Sequence, residues 1–186
     1  AQLFIKQINS PGGNVTPEDL LQYKPVEREP VIGYYKGLKV VTIGPPSSGG
    51  ISLIQMLNTI ENFNFKLEEW GSSKYLHTLA ETMKYSFADR SIHAADEDFF
   101  PVRKQWLISD AYGKQIADRI REYAVPSDSI KPGTSEFFGE SDETTHYSVI
   151  DAFGNAVSTT TTINSSYGSK IVVEGAGFLL NNEMDD

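Results

Sequence analysis

The chain has 186 residues, 16 Lys+Arg against 25 Asp+Glu for a net charge of −9, 39% apolar residues and no cysteine. The length fits one sizeable core and not two large domains, and the acidic balance with no Lys/Arg cluster argues against a nucleic-acid partner. Without cysteine there is no disulfide framework, thiolate metal site or cysteine nucleophile, and without a basic-then-apolar start or 18 continuous apolar residues, neither a signal peptide nor a membrane span is expected within these residues.

In chain order, a short apolar run from Leu3 to Ile8 precedes the turn residues Ser10-Pro11-Gly12-Gly13-Asn14. Thr16-Pro17-Glu18-Asp19 then predicts a helix over about 17–23, with Thr16 as cap, Pro17 in the first turn and Asp19 as the capping-box acid. Two β-rich runs, 30–35 and 38–43, flank Lys36-Gly37 and predict a hairpin. Gly44-Pro45-Pro46-Ser47-Ser48-Gly49-Gly50 leads into Ile51, Ile54, Leu57 and Ile60, a helical period over about 51–63. Its Ser47-Gly50 start could bind an anion, but capping and packing of the helix is the preferred reading. A second helix is expected over 72–88 with Leu76, Leu79, Ala80, Met83 and Phe87 inward, and Asp89-Arg90 as a local ion pair or cap. A third is expected over 109–123, capped by Ser109, with Ala111, Ile116 and Ile120 inward. Residues 125–143 are polar, acidic and proline-bearing, which predicts an exposed loop.

After residue 143 the period becomes alternating. Thr144–Ile150 and Ala156–Asn164 flank Asp151-Ala152-Phe153-Gly154-Asn155, and further β structure is expected at 171–173 and 175–180. If Ile150 opposes Ala156, paired numbers sum to 306: Ser148 faces Ser158, His146 faces Thr160, and Thr144 faces Thr162, with Asn164 one step along. The opposite face, Tyr147, Val149, Val157 and Ile163, is apolar enough to bury. A hydroxyl-lined face is ordinarily a solvated one, but its position is unusual: a cut before Thr144 would leave a threonine amine on a strand. Threonine with a free α-amine carries its own base, because the amine can take the hydroxyl proton.

Four segments carry a resemblance: Pro45-Pro46-Ser47-Ser48-Gly49-Gly50; Ala80-Glu81-Thr82-Met83-Lys84-Tyr85-Ser86-Phe87-Ala88-Asp89-Arg90; Thr144-Thr145-His146-Tyr147-Ser148-Val149; and Gly177 to Asp186. In this order they resemble the γ-glutamyltranspeptidase family of N-terminal-nucleophile hydrolases. The resemblance implies an α+β chain forming an incomplete part of a four-layer αββα sandwich. It implies a boundary between 1–143, the end of a large subunit, and 144–186, the start of a small one, created by autocatalytic cleavage at Glu143-Thr144. It further implies γ-glutamyl transfer or hydrolysis from glutathione or related amides through a γ-glutamyl-threonine ester, with Thr144 as nucleophile and Thr162 orienting it.

By the same resemblance, Asn164, Glu183 and Asp186 would hold the donor's α-amino group. His146 is then read as structural, since the amine already supplies a base. The family's arginine for the donor carboxylate, and its serine and glycine pairs, are expected outside these residues, so the chain is expected to be an inactive internal piece of a zymogen. No cofactor or metal is called for. The partners implied are a small-molecule donor, an amino-acid or water acceptor, and the remaining large- and small-subunit segments. The implied location is periplasmic or secreted. Left open beside this are a related acylase, a poly-γ-glutamate transpeptidase, and a non-catalytic homologue that only binds amino acids or a partner.

Overall fold

The computed structural model describes residues 1–133 and 145–182, and its contacts divide the chain into two compact units, Glu27–Gly139 and Ala1–Val26 with Glu140–Asp186. Both helix and strand are present, so the chain is α+β; the described strands form three separate two-stranded antiparallel sheets.

The first unit begins with strands β1 (Val31–Tyr35) and β2 (Leu38–Thr42), paired from Val31↔Thr42 to Tyr35↔Leu38 as the sequence predicts. Lys36 and Gly37 both take positive φ (48° and 79°), which suits the twist of a two-residue hairpin turn. Helix α3 (Gly49–Glu61) follows the Pro/Gly/Ser loop. Its cap differs in detail from expectation: Ser48 makes no side-chain cap bond, and Ser47 Oγ accepts from the Gly49 N–H at 3.3 Å. Gly50 is required there because a Cβ would collide with the Ile43 carbonyl oxygen. Helices α5 (Lys104–Leu107) and α6 (Asp110–Ala117) complete the unit, the latter capped by Ser109 through the Tyr112 N–H at 3.2 Å. Val31, Ile51, Ile54, Tyr85, Leu107, Tyr112, Ile116 and Ile130 form the core.

Helix α4 (Ser73–His93) runs five residues beyond its expected end and corrects the expected inward face. Leu76, Ala80, Met83 and Phe87 are exposed and Leu79 is half-buried. The buried positions are instead Thr78, Glu81, Thr82, Tyr85, Ser86, Asp89 and His93. Such a face is costly unless its polar groups are paired. Thr82 donates to the Thr78 carbonyl and Asp89 is bonded three times, while Glu81 Oε2 and His93 Nε2 find no hydrogen-bond partner among the described residues. The Asp89 carboxylate accepts from Gln55 Nε2 at 2.6 Å, Tyr112 Oη–H at 2.7 Å and the Gly133 N–H at 2.7 Å. Burial, with the neighbouring Asp89 charge, pushes the Tyr112 phenol well above its usual pKa. Glu81 pairs with Lys84 at 2.6 Å, and Lys84 also donates to the Val125 carbonyl at 2.8 Å.

Two further expectations are corrected here. Helix α6 stops at Ala117 rather than about 123, and Ala111 is exposed while Tyr112 and Gly113 are buried, because Gly113 lies against Asn58 of α3 too closely for a side chain. The described part of 125–143 is not a free loop: Ile130 is in the core and Gly133 is bound to Asp89.

In the second unit, helix α1 (Gln2–Asn9) packs beside a small hairpin of β5 (Val172–Val173) and β6 (Phe178–Leu179). Leu3 and Phe4 line a groove there with Val173, Ala176 and Phe178. Helix α2 (Pro17–Gln22) carries the expected capping box, in which Asp19 N–H donates to Thr16 Oγ1 at 3.2 Å and Thr16 N–H to the Asp19 carboxylate at 2.7 Å. The unit also holds β3 (Thr145–Ile150) and β4 (Ala156–Thr161).

Candidate functional site

The β3–β4 register agrees with the sequence arithmetic at every described pair: His146↔Thr160, Ser148↔Ser158 and Ile150↔Ala156 each sum to 306. The pleat therefore puts positions 146, 148, 158 and 160 on one face. The Ser148 and Ser158 hydroxyls meet across it at 3.2 Å.

The turn that sets this register is built on Asp151. Its carboxylate accepts from Asn155 Nδ2 at 2.8 Å, the Asn155 N–H at 2.9 Å and the Phe153 N–H at 2.8 Å, and the Asn155 bonds foremost hold its pKa below the usual carboxylate range. Gly154 supplies the positive φ of 85°. The opposite face is not buried in this chain, contrary to expectation: Tyr147, Val149 and Val157 are each more than half exposed, and Ile163 lies beyond the end of β4.

Of the expected site residues, Thr162 and Asn164 are described; Glu143, Thr144, Glu183 and Asp186 lie outside the described residues, as does the Thr144↔Thr162 pairing. Thr162 follows directly after β4. Its Oγ1 accepts the Asn164 N–H at 2.8 Å, a local side-chain-to-backbone bond that holds the hydroxyl's orientation. Asn164 is 7% exposed and left-handed, φ 68°, a conformation that Asn tolerates better than most side chains. Its Nδ2 donates to the Asn182 carbonyl at 3.4 Å. The two residues are thus joined in one loop, with an oriented hydroxyl and an oriented amide two positions apart.

The model of the family described as gamma-glutamyltranspeptidase matches residues 1–186. The chain belongs to the γ-glutamyltranspeptidase family. It is 46% identical to the glutathione hydrolase proenzyme of Escherichia coli (strain K12) over all of its own length and 32% of that protein's, so it spans about a third of this relative. Among solved structures, γ-glutamyltranspeptidase of Helicobacter pylori aligns at TM-score 0.68 with 42% identity, over 76% of this chain and 41% of that one. Cephalosporin acylase from Bacillus halodurans aligns at TM-score 0.80 with 26% identity, over 97% of this chain and 31% of that one. The family is one of enzymes, and relatives carry proenzyme in their names.

The described residues of the chain contain no grouping of three or more His, Asp or Glu suited to a metal ion, and no helix long and apolar enough to cross a membrane. Asn182 was missed in the sequence reading. Its only local signal is its place directly before Glu183.

Proposed function

We propose that the protein containing these residues transfers γ-glutamyl groups from glutathione or similar amides to water or an amino acid, with Thr144 as its nucleophile. The observation that carries this is the end of the β3–β4 ladder, joined to a family match over the whole chain. The last described pair is Thr145↔Thr161, so the nucleophile position and Thr162 each lie one residue beyond it.

In this reading Thr144 Oγ attacks the Glu143 carbonyl, the C–N bond breaks, and the resulting ester is hydrolysed by water. A carboxylate is left on Glu143 and a free amine on Thr144. Residues 1–143 then end a large subunit and 144–186 begin a small one, within a four-layer αββα sandwich completed by other segments. In turnover, Thr144 Oγ attacks the donor's γ-carbonyl while its amine takes the hydroxyl proton and passes it to the leaving amine. An acceptor amine or water then attacks the γ-glutamyl ester and frees Thr144.

Thr162 orients the nucleophile, and Asn164, Glu183 and Asp186 take the donor's α-ammonium, two carboxylates and a neutral amide oxygen being suited to that charge. An uncut Glu143-Thr144 bond leaves the nitrogen an amide, which cannot act as the base, so processing precedes activity. Export to the periplasm or outside the cell is the location we propose, by analogy with the family.

The test is processing followed by turnover in the whole protein. Mass spectrometry should find a new terminus at Thr144 in the wild type and an uncut chain in Thr144→Ala, and the cut protein should release p-nitroaniline from its γ-glutamyl derivative. An uncut wild type would falsify the mechanism. The structural likeness to a cephalosporin acylase favours one second reading, an acylase using the same nucleophile. Cleavage at Thr144 with turnover only of acyl donors lacking the α-amino group would select it.

A further inference from the structure

We propose that Asn182 is a positioning residue that fastens the Thr162–Asn164 loop to the chain entering Glu183, and that it thereby sets selectivity for donors bearing an α-ammonium. The proposal rests on the γ-glutamyl reading above. Asn182 uses all four of its polar groups on three successive residues, Ile163, Asn164 and Ser165, the last two of that loop and the one after it. Its backbone N–H donates to the Ile163 carbonyl at 3.3 Å, and its own carbonyl accepts from Asn164 Nδ2 at 3.4 Å. Its Oδ1 accepts the Ser165 N–H at 3.1 Å, and its Nδ2 donates to Ser165 Oγ at 3.3 Å.

Each bond is modest alone, but together they fix the separation and rotation of two strands of chain that are 17 to 19 residues apart in sequence. The contact is reinforced one turn away: the Ser169 N–H donates to the Leu180 carbonyl at 3.0 Å, Ser169 Oγ to the same oxygen at 3.1 Å, and the Leu180 N–H returns to Ile171 at 2.9 Å. Gly168 sits so close to the Leu180 oxygen that no Cβ fits.

The functional consequence follows from chain adjacency. Asn164, on one side of the clamp, and Glu183 and Asp186, one and four residues after Asn182, are the proposed ammonium acceptors. A primary amide fits because one planar group accepts from the Ser165 backbone N–H and donates to the Ser165 hydroxyl at once. Leucine has similar volume and does neither. Aspartate accepts from both Ser165 groups, since the hydroxyl can turn to donate. Because the clamp fixes Asn164 and the point from which the chain enters Glu183, loosening it should weaken recognition of the ammonium more than attack on the carbonyl.

The experiment compares wild type, Asn182→Leu, Asn182→Asp and Ser165→Ala in the whole protein. The donors are γ-glutamyl-p-nitroanilide and glutaryl-p-nitroanilide, which differ only in the α-amino group. Displacement of a positioned group by about 1 Å can cost on the order of 10²-fold. For N182L we expect kcat/KM on the γ-glutamyl donor to fall at least about tenfold, chiefly through KM, and on the glutaryl donor by no more than about twofold. N182D should keep most of the discrimination, and S165A should show the same split in smaller measure, so the test stands if N182L does not mature.

Equal losses on both donors would overturn the proposal. Amide exchange over 163–169 decides the clamp independently of turnover: faster exchange in N182L and S165A supports it, and unchanged exchange overturns it. If wild type cleaves neither donor, the γ-glutamyl reading fails, and the donor selectivity with it, while the exchange result still decides the clamp.

Discussion

The helical unit, Glu27–Gly139, and the hairpin of β3 and β4 treat their polar residues in opposite ways. In the helical unit, a buried cluster closes on one carboxylate: Asp89 is 2% exposed and holds three donors from three distant parts of the chain. In the hairpin, hydroxyls line an open face and their apolar counterparts across the sheet are exposed as well. A buried carboxylate held by three donors is a fixed object that stabilises and orients a core. An open row of hydroxyls contributes little to stability but is accessible to a substrate. On the proposed function, structure falls to one region and chemistry to the other, and substitutions can test that division.

The largest expected effect is in the chemical region. Thr144→Ala should abolish self-cleavage and reduce turnover by roughly 10³-fold or more, with no change in urea midpoint beyond that of the uncut wild type. A lower midpoint would undo the division. Next comes Asp89→Ala, which leaves the Gln55 amide, the Tyr112 hydroxyl and the Gly133 N–H without their acceptor; unfolding free energy should drop by about 3 kcal/mol at pH 7, read by urea denaturation. A drop under about 1 kcal/mol would show that the network relaxes onto water. Gly168→Ala should cost on the order of 1–3 kcal/mol, because Gly168 combines φ 53° with contact against the Leu180 oxygen. A thermal melt equal to wild type would count against the loop geometry.

The smallest effect is Tyr112→Phe, about 1 kcal/mol, from loss of one donor to Asp89. It also carries a pH signature. The folded state raises the Tyr112 pKa above the unfolded value near 10, so the unfolded chain binds fewer protons in alkali. This stabilisation is full below about pH 10 and declines as pH rises from there towards the folded pKa, by up to about 1.4 kcal/mol per pH unit. Y112F should flatten that alkaline decline. An unchanged slope between about pH 10 and 11.5 would mean that the phenol is not held protonated by the core.

Much of the site's scaffold was legible along the chain, and particular residues show why. Asp151, Gly154 and Asn155 bond within five residues of one another, so turn chemistry and strand alternation suffice to set the register. Thr16 with Asp19, and Ser109 with the Tyr112 N–H, are likewise local. Helix α4 shows the converse. Its apolar period selects Leu76, Met83 and Phe87, whereas the face that is buried follows from Gln55 and Gly133, 34 and 44 residues from Asp89. Asn182 escaped for the same reason, since its partners lie 17 to 19 residues back.

Sequence by itself therefore determined the Thr16 and Ser109 caps, the turn at Asp151 and the 306 register. All of these depend on periods or on bonds between near neighbours. Only the tertiary structure decided which face of α4 turns inward, that Gly133 is bound by Asp89, and that Asn182 ties the Thr162–Asn164 loop to the approach to Glu183. Each of these is a hydrogen bond between segments far apart in the chain, and no local propensity encodes which buried donor will meet which acceptor.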